Sequence, residues 1–476
     1  MHRLLALGLI AASAGAAPPE HGRRPARMVI RNAIVVEGNG TPAAGPKDIL
    51  IENDRISRIA AVDPVMSEGR IEAEIEIDAA GAYVLPGLIN AHGHIHDERG
   101  GVALPTEYVL KLWLACGITT VRDVGSTFEK SKALRAASEE GTIAAPRIFL
   151  YPFFGRPQTP AAARARVRDL KQAGADGLKI IGIWRDTMEA AMEEARSSGL
   201  RVAHHVGVEE TNAWDNIRLG TTSVEHWYGI PDAALPDGIQ NLPPGYNYNN
   251  EVDRFRYAGR LWREADPARL RQVLEAMAKA SVAWDPTLVI YEASRDLQRA
   301  MTQPWFREYL HPAVERFFQP NPAHHGSYFA NWTSTDEAYW KENYRIWMAA
   351  LRDFERAGGV IGTGEDAGYI WQLYGFALLR ELELHQEAGF HPLKVIQHAT
   401  FNNARILGEE SMLGRVRAGW KADLIVVDGN PLENLKVLYP VGMNGAGGIR
   451  WTLKDGIPYS PRRLMTEVKQ LVDKGR

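Results

Sequence analysis

Residues 84–100 read VLPGLINAHGHIHDERG, with His92, His94 and His96 at every second position shortly after a Pro-Gly pair. On a strand, successive side chains point to opposite faces, so His92 and His94 project the same way, about 6 to 7 Å apart along the backbone. Two imidazoles on one face can converge on a metal ion, although a lone His-x-His pair is more often ordinary surface chemistry. Their meaning depends on what stands at the ends of later strands.

Outward from this stretch, over residues 88–414, short apolar strands alternate with helical patterns: GITTVRDV then SKALRAASEEG, GLKIIGI then TMEAAMEEARSSG, RVAHHV then EETNAWDNIRLG. Such alternation implies βαβ units and a parallel sheet, and this length suits a closed (β/α)8 TIM barrel, typically ~250 residues plus insertions. The alternative, an open doubly wound sheet, lacks a Gly-x-Gly-x-x-Gly after an early strand. On either side lie hairpin patterns, MVIRNAIVVEG and DILIENDRISRI before, KADLIVVDGNP and GIRWTLKDGIPYS after. The expected architecture is α/β: the barrel over 88–414 and a small composite β-sandwich built from both termini, 18–87 and 415–476. From 230 to 344 the rhythm breaks into a segment rich in Trp, Tyr, Asn and Pro, with ASVAWDPTLVI as its one strand. Long βα insertions usually overlie a barrel's catalytic mouth, so it reads as a lid-like wall or a contact for a homo-oligomer.

The first residues, MHRLLALGLIAASAGAAPPE, run from a basic start through an apolar middle to small residues, the pattern of a secretory signal peptide over 1–17. Export to the periplasm or medium is expected. The chain has 55 basic and 58 acidic residues, and losing Arg3 with the leader changes this little. That balance argues against nucleic acid and against strong binding to anionic lipid, and no stretch reaches the ~20 apolar residues of a membrane span. One cysteine, Cys116, allows no intrachain disulfide and sits among apolar neighbours.

Four later positions give the histidines company. Lys179 lies inside the apolar strand GLKIIG, where its charge is costly unless paired or neutralised; it reads either as a satisfied barrel lysine or, after reaction with carbon dioxide, as a carbamate able to bridge two ions. His204 and His205 end RVAHHV, and alternation lets only one face the barrel interior. His226 ends TSVEHW, and Asp366 sits in GVIGTGEDAGY. Together, His92, His94, Lys179, His205, His226 and Asp366 fall at successive strand ends, where barrel enzymes place their chemistry, and imidazole with carboxylate is a hydrolytic zinc ligand set.

At these residues the chain resembles the amidohydrolase superfamily: VLPGLINAHGH, ACGITTVRDVG, GADGLKI, HPLKVIQHATFNNARILG and GRVRAGWKADLIVVDGNPLENL are similar to its motifs across nearly the whole mature sequence. The organisation looks most like its imidazolonepropionase and prolidase-like group. The resemblance implies two divalent ions, zinc expected, with His92, His94 and Asp366 on the more buried one, His205 and His226 on the more exposed one, and carboxylated Lys179 between them. It implies hydrolysis by metal-activated hydroxide, with Asp366 as general acid and base. The chain departs from the family's usual Gly-Thr-Asp: if Gly362-Thr363 set the register, Gly364 would take the aspartate's place, whereas the following Asp-Ala-Gly favours Asp366. Trp227-Tyr228 after His226 is bulkier than the family's frequent glycine, and His96 is read as a supporting or packing residue.

The expected substrate is a small molecule with an amide C–N bond: a dipeptide, an N-acyl amino acid or a cyclic amide. Tyr228 is a candidate partner for its carbonyl. Arg254, Arg256, Arg260 or Arg263 could pair with a carboxylate, or simply form a solvated helix face. Trp262, Tyr246 and Tyr248 suggest an apolar substrate side chain. A lactone, ester or phosphotriester hydrolase or a deaminase on the same scaffold, and a catalytically silent binding barrel, stay open; Lys179 counts against the deaminase.

Overall fold

The computed structural model describes the chain except residues 1–16, 64–69, 207–209, 239–242, 248–249, 322–325, 328, 330–331 and 441–446. The expected signal segment thus lies outside the described residues apart from Ala17. Strands β1 (Arg27–Val35), β2 (Ala44–Glu52), β3 (Arg55–Ala61), β4 (Ile75–Asp78) and β5 (Ala82–Pro86) come first. β1 runs antiparallel to β2 and parallel to β4 and β5, and Met28, Ile30, Ile49, Ile51 and Val84 share one apolar core.

Gly87 alone separates β5 from β6 (Leu88–Gly93), the strand bearing the first histidines. A short hairpin, β7 (Glu98–Arg99) and β8 (Val102–Ala103), precedes a series of parallel strands: β9 (Ile118–Val124), β10 (Arg147–Tyr151), β11 (Gly177–Ile181), β12 (Arg201–His205), β13 (Ser223–Glu225) and β14 (Ala283–Asp285). β6, β9 and β10 form one parallel sheet and β11 to β14 another. Backbone hydrogen bonds link them: Lys179 N donates to Pro152 O at 3.0 Å and Phe154 N to Lys179 O at 2.8 Å. At the other side, Gly362 N donates to Trp284 O at 2.8 Å, and Ala91 N donates to Thr363 O at 3.0 Å, so segment 360–363 lies between β14 and β6. Every residue of β9 is buried, as expected of a parallel strand covered on both faces.

The connecting helices form where local chemistry starts and stops them. In Pro160–Gln172, Thr159 accepts from Ala162 N and Pro160 occupies the first turn, where its missing N–H costs nothing. In the insertion, ASVAWDPTLVI is a strand only as far as Asp285. Pro286 cannot donate to the ladder, Thr287 takes φ +45°, and Leu288–Tyr291 becomes a 3-10 turn. The insertion otherwise holds helices, among them Glu251–Glu264, Pro267–Lys279 and Ser334–Arg356.

The C-terminal part returns to the first sheet as β15 (Leu424–Asp428), β16 (Gly448–Lys454) and β17 (Ile457–Tyr459), giving the order β17-β16-β15-β5-β1-β2-β3 with β4 beside β1. β15 pairs antiparallel with β5 from Leu424 opposite Pro86 to Asp428 opposite Ala82. The half-buried Arg147 of β10 lies between Asp423 and Asp455, joining this sheet to the parallel strands by paired charges. Among the described residues, no helix is long and apolar enough to cross a membrane.

Candidate metal centre

His92, His94, Lys179, His205, His226 and Asp366 all line one cavity of about 280 Å³. Asp366 Oδ1 lies 2.9 Å from His94 Nε2 and 3.8 Å from His92 Nε2, and Oδ2 lies 3.8 Å from His226 Nε2. Lys179 Nζ is 3.2 Å from His92 Nε2. The His226 ring centre is 4.5 Å from that of His205 and 4.8 Å from that of His92. Ligand atoms of His92, His94 and Asp366 come within 4.8 Å of one another, close enough to share an ion. Of the adjacent pair on β12, His205 faces the cavity, while His204 turns away and its Nδ1 meets Asn216 Oδ1 at 2.8 Å.

The register at the last strand end is settled by packing. A Cβ on Gly364 would stand 2.3 Å from His92 Cβ and 2.7 Å from Asp285 Oδ2, so this position lies against the back of His92 and must be glycine. The carboxylate comes from Asp366, whose amide donates to His92 O at 2.9 Å. Asp366 and His226 both take left-handed backbone, φ +46° and +61°, which is strained for such residues and tends to be retained where geometry matters for function.

Protonation suits metal coordination. Burial, then the Lys179 charge, lowers His92 to about 4, against the pull of Asp366 and Glu225, leaving a neutral imidazole with a free lone pair at neutral pH. Burial raises the Asp366 carboxyl, but His92 and His94 outweigh it and bring it to about 2. Burial lowers Lys179 to about 8 despite the opposing charges of Glu225 and Asp366.

A model of the amidohydrolase family matches residues 83–240 and 345–457. The chain belongs to the amidohydrolase family. It is 25% identical over 256 residues to a dihydroorotase of Pediococcus pentosaceus, an alignment covering 52% of this chain and 56% of that protein, so the match spans little more than half the relative's length. A crystal structure of a Xaa-Pro dipeptidase with bound methionine in the active site superposes with a TM-score of 0.63 at 21% identity, over 91% of this chain and all of that one. A putative prolidase from Bifidobacterium longum gives 0.63 at 22% identity, over 95% of this chain and 100% of its own. The two likenesses to solved structures show a shared fold.

Behind the amidohydrolase cavity lies a charged layer that the motifs did not reveal. Glu225 accepts from His92 Nδ1 at 2.7 Å and from Ser223 Oγ at 2.5 Å, and the buried Arg122 donates to both of its carboxylate oxygens at 2.8 and 2.9 Å. Arg122 also reaches Asp285 at 3.4 Å. Against the cost of burial, Arg122 and His92 hold Glu225 ionised well below the usual carboxylate range. His92, Glu225 and Asp285 also cluster tightly enough to hold an ion. Because Arg122 already neutralises that pair and His92 Nδ1 is engaged, we read the trio as a support for His92. His226 Nδ1 contacts Thr287 Oγ1 at 2.5 Å in the same manner. These contacts turn Nε2 of both histidines toward the cavity. The sequence signal was a charge inside an apolar strand, Arg122 in GITTVRDV and Glu225 in TSVEH, the cue already used for Lys179.

Glu225→Gln keeps the shape but weakens the hold on His92, so metal affinity is expected to fall roughly 10- to 100-fold. Competition against a chelator measures it, and unchanged affinity would leave Glu225 only the role of balancing Arg122.

Tyr228 lines the cavity and stacks on His205 with ring centres 5.2 Å apart. Of the four arginines in the helix Glu251–Glu264, only Arg254 lines it. Arg256 pairs with Asp253 and Asp336 at 3.7 and 3.5 Å, Arg260 covers Tyr257 and Tyr339, and Arg263 covers Tyr339. The expected substrate contact of Trp262 is corrected: it is buried in a cluster of indoles, 6.2 Å from Trp284, because a side chain that large is best accommodated in the core. Tyr246 packs on Tyr257 and does not line the cavity, and Tyr248 lies outside the described residues. His96 supports a wall residue instead of joining the centre: Nδ1 meets Tyr374 Oη at 2.6 Å and Nε2 meets Tyr369 Oη at 3.3 Å.

Proposed function

We propose that this chain is a binuclear metal-dependent hydrolase that cleaves an amide C–N bond in a dipeptide, an N-acyl amino acid or a cyclic amide. The observation that carries the proposal is the convergence of four imidazoles, one carboxylate and one buried lysine on a single cavity. In this reading the eight parallel segments form a closed (β/α)8 barrel, the terminal strands form a composite β-sandwich over 18–87 and 415–476, and the chain is exported after cleavage near Ala17.

The donors fit divalent ions, with zinc first among them. His92, His94 and Asp366 would hold the more buried ion and His205 and His226 the more exposed one. Lys179, whose lowered pKa leaves part of its amine uncharged, would bridge them as a carbamate, formed when Nζ bonds to the carbon of CO2 and releases a proton. Such ions supply Lewis acidity, polarising a carbonyl and lowering the pKa of water toward neutrality. The chain's own groups do the rest. Asp366, ionised at any pH well above 2, accepts the proton of the attacking water and passes it to the leaving nitrogen. Tyr228 orients the substrate carbonyl. Glu225 and Thr287 keep the His92 and His226 rings aligned.

The test joins metal analysis of purified protein to a screen of dipeptides, N-acyl amino acids, cyclic amides and lactones. About two ions per chain and turnover of an amide are expected, by the usual stoichiometry of two-metal sites. Faster turnover of lactones would move the activity to esters on the same scaffold. No ion after growth in zinc and no turnover would leave a silent binding barrel.

A further inference from the structure

One buried carboxyl stands next to the centre and has no role in the proposed chemistry. Glu365 is fully buried and immediately precedes Asp366. Its partners are neutral N–H groups: Trp113 Nε1 donates to Oε1, Gly375 N donates to Oε2 at 2.7 Å, and Leu378 N also donates to the carboxyl. Burying a carboxyl without a basic partner is costly, and hydrogen bonds to a helix end offset the cost. That helix, Phe376–Glu387, starts after Gly375, which has no side chain to cap it, so Glu365 takes up N–H groups that the first turn leaves over. Trp113 belongs to the helix Thr106–Ala115 and backs β6, since a Cβ on Gly93 would stand 3.2 Å from Trp113 Cζ2. The Glu365 amide is held too, donating to Asn90 Oδ1 at 3.2 Å, the same oxygen that accepts from His92 N at 3.1 Å. One residue thus joins two helices to the strand of the first histidines.

We infer that Glu365 is a positioning residue for Asp366: its carboxyl locks the peptide before Asp366 onto both helices and so sets the direction of the Asp366 carboxylate. The task given to Asp366 rests on the hydrolase proposal. Asp366 needs an anchor because its backbone is left-handed, φ +46°, a conformation that persists in a non-glycine residue only where the surroundings impose it. Its amide donates to His92 O at 2.9 Å, and a turn of the preceding peptide would swing the carboxylate away from His94. Glutamine at 365 has the same shape but a single acceptor, so either Trp113 Nε1 or Gly375 N would face an NH2 group. The anchor loosens while the packing stays.

The test is a double-mutant cycle on the full chain: wild type, Glu365→Gln, Asp366→Asn and the double variant, each measured for zinc affinity by chelator competition and for Tm without metal. Glu365→Gln is expected to weaken zinc binding roughly tenfold, as loss of a contact behind a ligand does. In the Asp366→Asn background the same change should leave zinc affinity untouched, yet lower Tm as much as it does in wild type. With an amide substrate, Glu365→Gln should lower kcat roughly tenfold and hold KM within about twofold, the pattern of an interaction made in the transition state. A merely structural glutamate would lower Tm and nothing else. That result, or zinc effects that add in the double variant, would overturn the inference. Trp113→Phe removes one donor and leaves the carboxyl in place; it should reproduce the pattern at smaller size, and it keeps the test decisive should Glu365→Gln misfold. Non-additive zinc binding without turnover of any amide would sink the hydrolase proposal and spare this one. Turnover of an amide with additive zinc effects would do the reverse.

Discussion

Lys179→Ala is expected to lower kcat/KM by roughly a thousandfold or more, about 4 kcal/mol of transition-state stabilisation, and to reduce the metal content. Lys179 sits at the middle of β11, 2% exposed, where an ammonium is poorly solvated. Removing it deletes the proposed bridge and leaves a gap beside His92. Short carboxylic acids have the two oxygens of a carbamate and fit such a gap, so acetate is expected to restore part of the activity in the alanine variant. The wild-type protein supplies a second check. Only the uncharged amine attacks CO2, and that form becomes dominant as pH rises through about 8. Reconstitution of metal-free protein with zinc at a fixed concentration of dissolved CO2 should therefore be faster above that pH than well below it. Full metal content and full rate in Lys179→Ala would reduce the residue to a packing role.

Asp366→Asn is expected to cost about 10²- to 10⁴-fold in kcat, the usual share of a positioned general acid and base, together with weaker binding of the more buried ion. The sign of the pH dependence follows from the carboxyl's lowered pKa. It is ionised and able to accept a proton at all pH values above about 2, so the acid limb of the wild-type profile should come from protonation of other groups and loss of metal. The asparagine variant can neither accept nor return the proton, so its residual rate should rise with hydroxide concentration. A variant with normal kcat and normal metal content would show that another group handles the proton.

The locally encoded features were readable directly. Strand alternation put His92 and His94 on one face and allowed only one of His204 and His205 inside. A lysine within GLKIIG signalled a special environment because burying an unpaired ammonium is costly. The period of strands and helices pointed to parallel βαβ units, and the terminal hairpin patterns correspond to the strands of one shared sheet.

Tertiary structure decided what depends on distances between remote segments. It chose His205 over His204, placed Asp366 instead of Gly364 at the cavity through close packing against His92, and turned Arg254 alone of four helix arginines inward. It put Trp262, which composition suggested for the substrate wall, into the indole core. It also assembled the Arg122–Glu225–His92 support from three strands. Periodicity depends on a residue's own backbone and is therefore written along the chain. A hydrogen bond between residues more than a hundred positions apart exists only once the strands have closed on one another, so no spacing in the sequence records it.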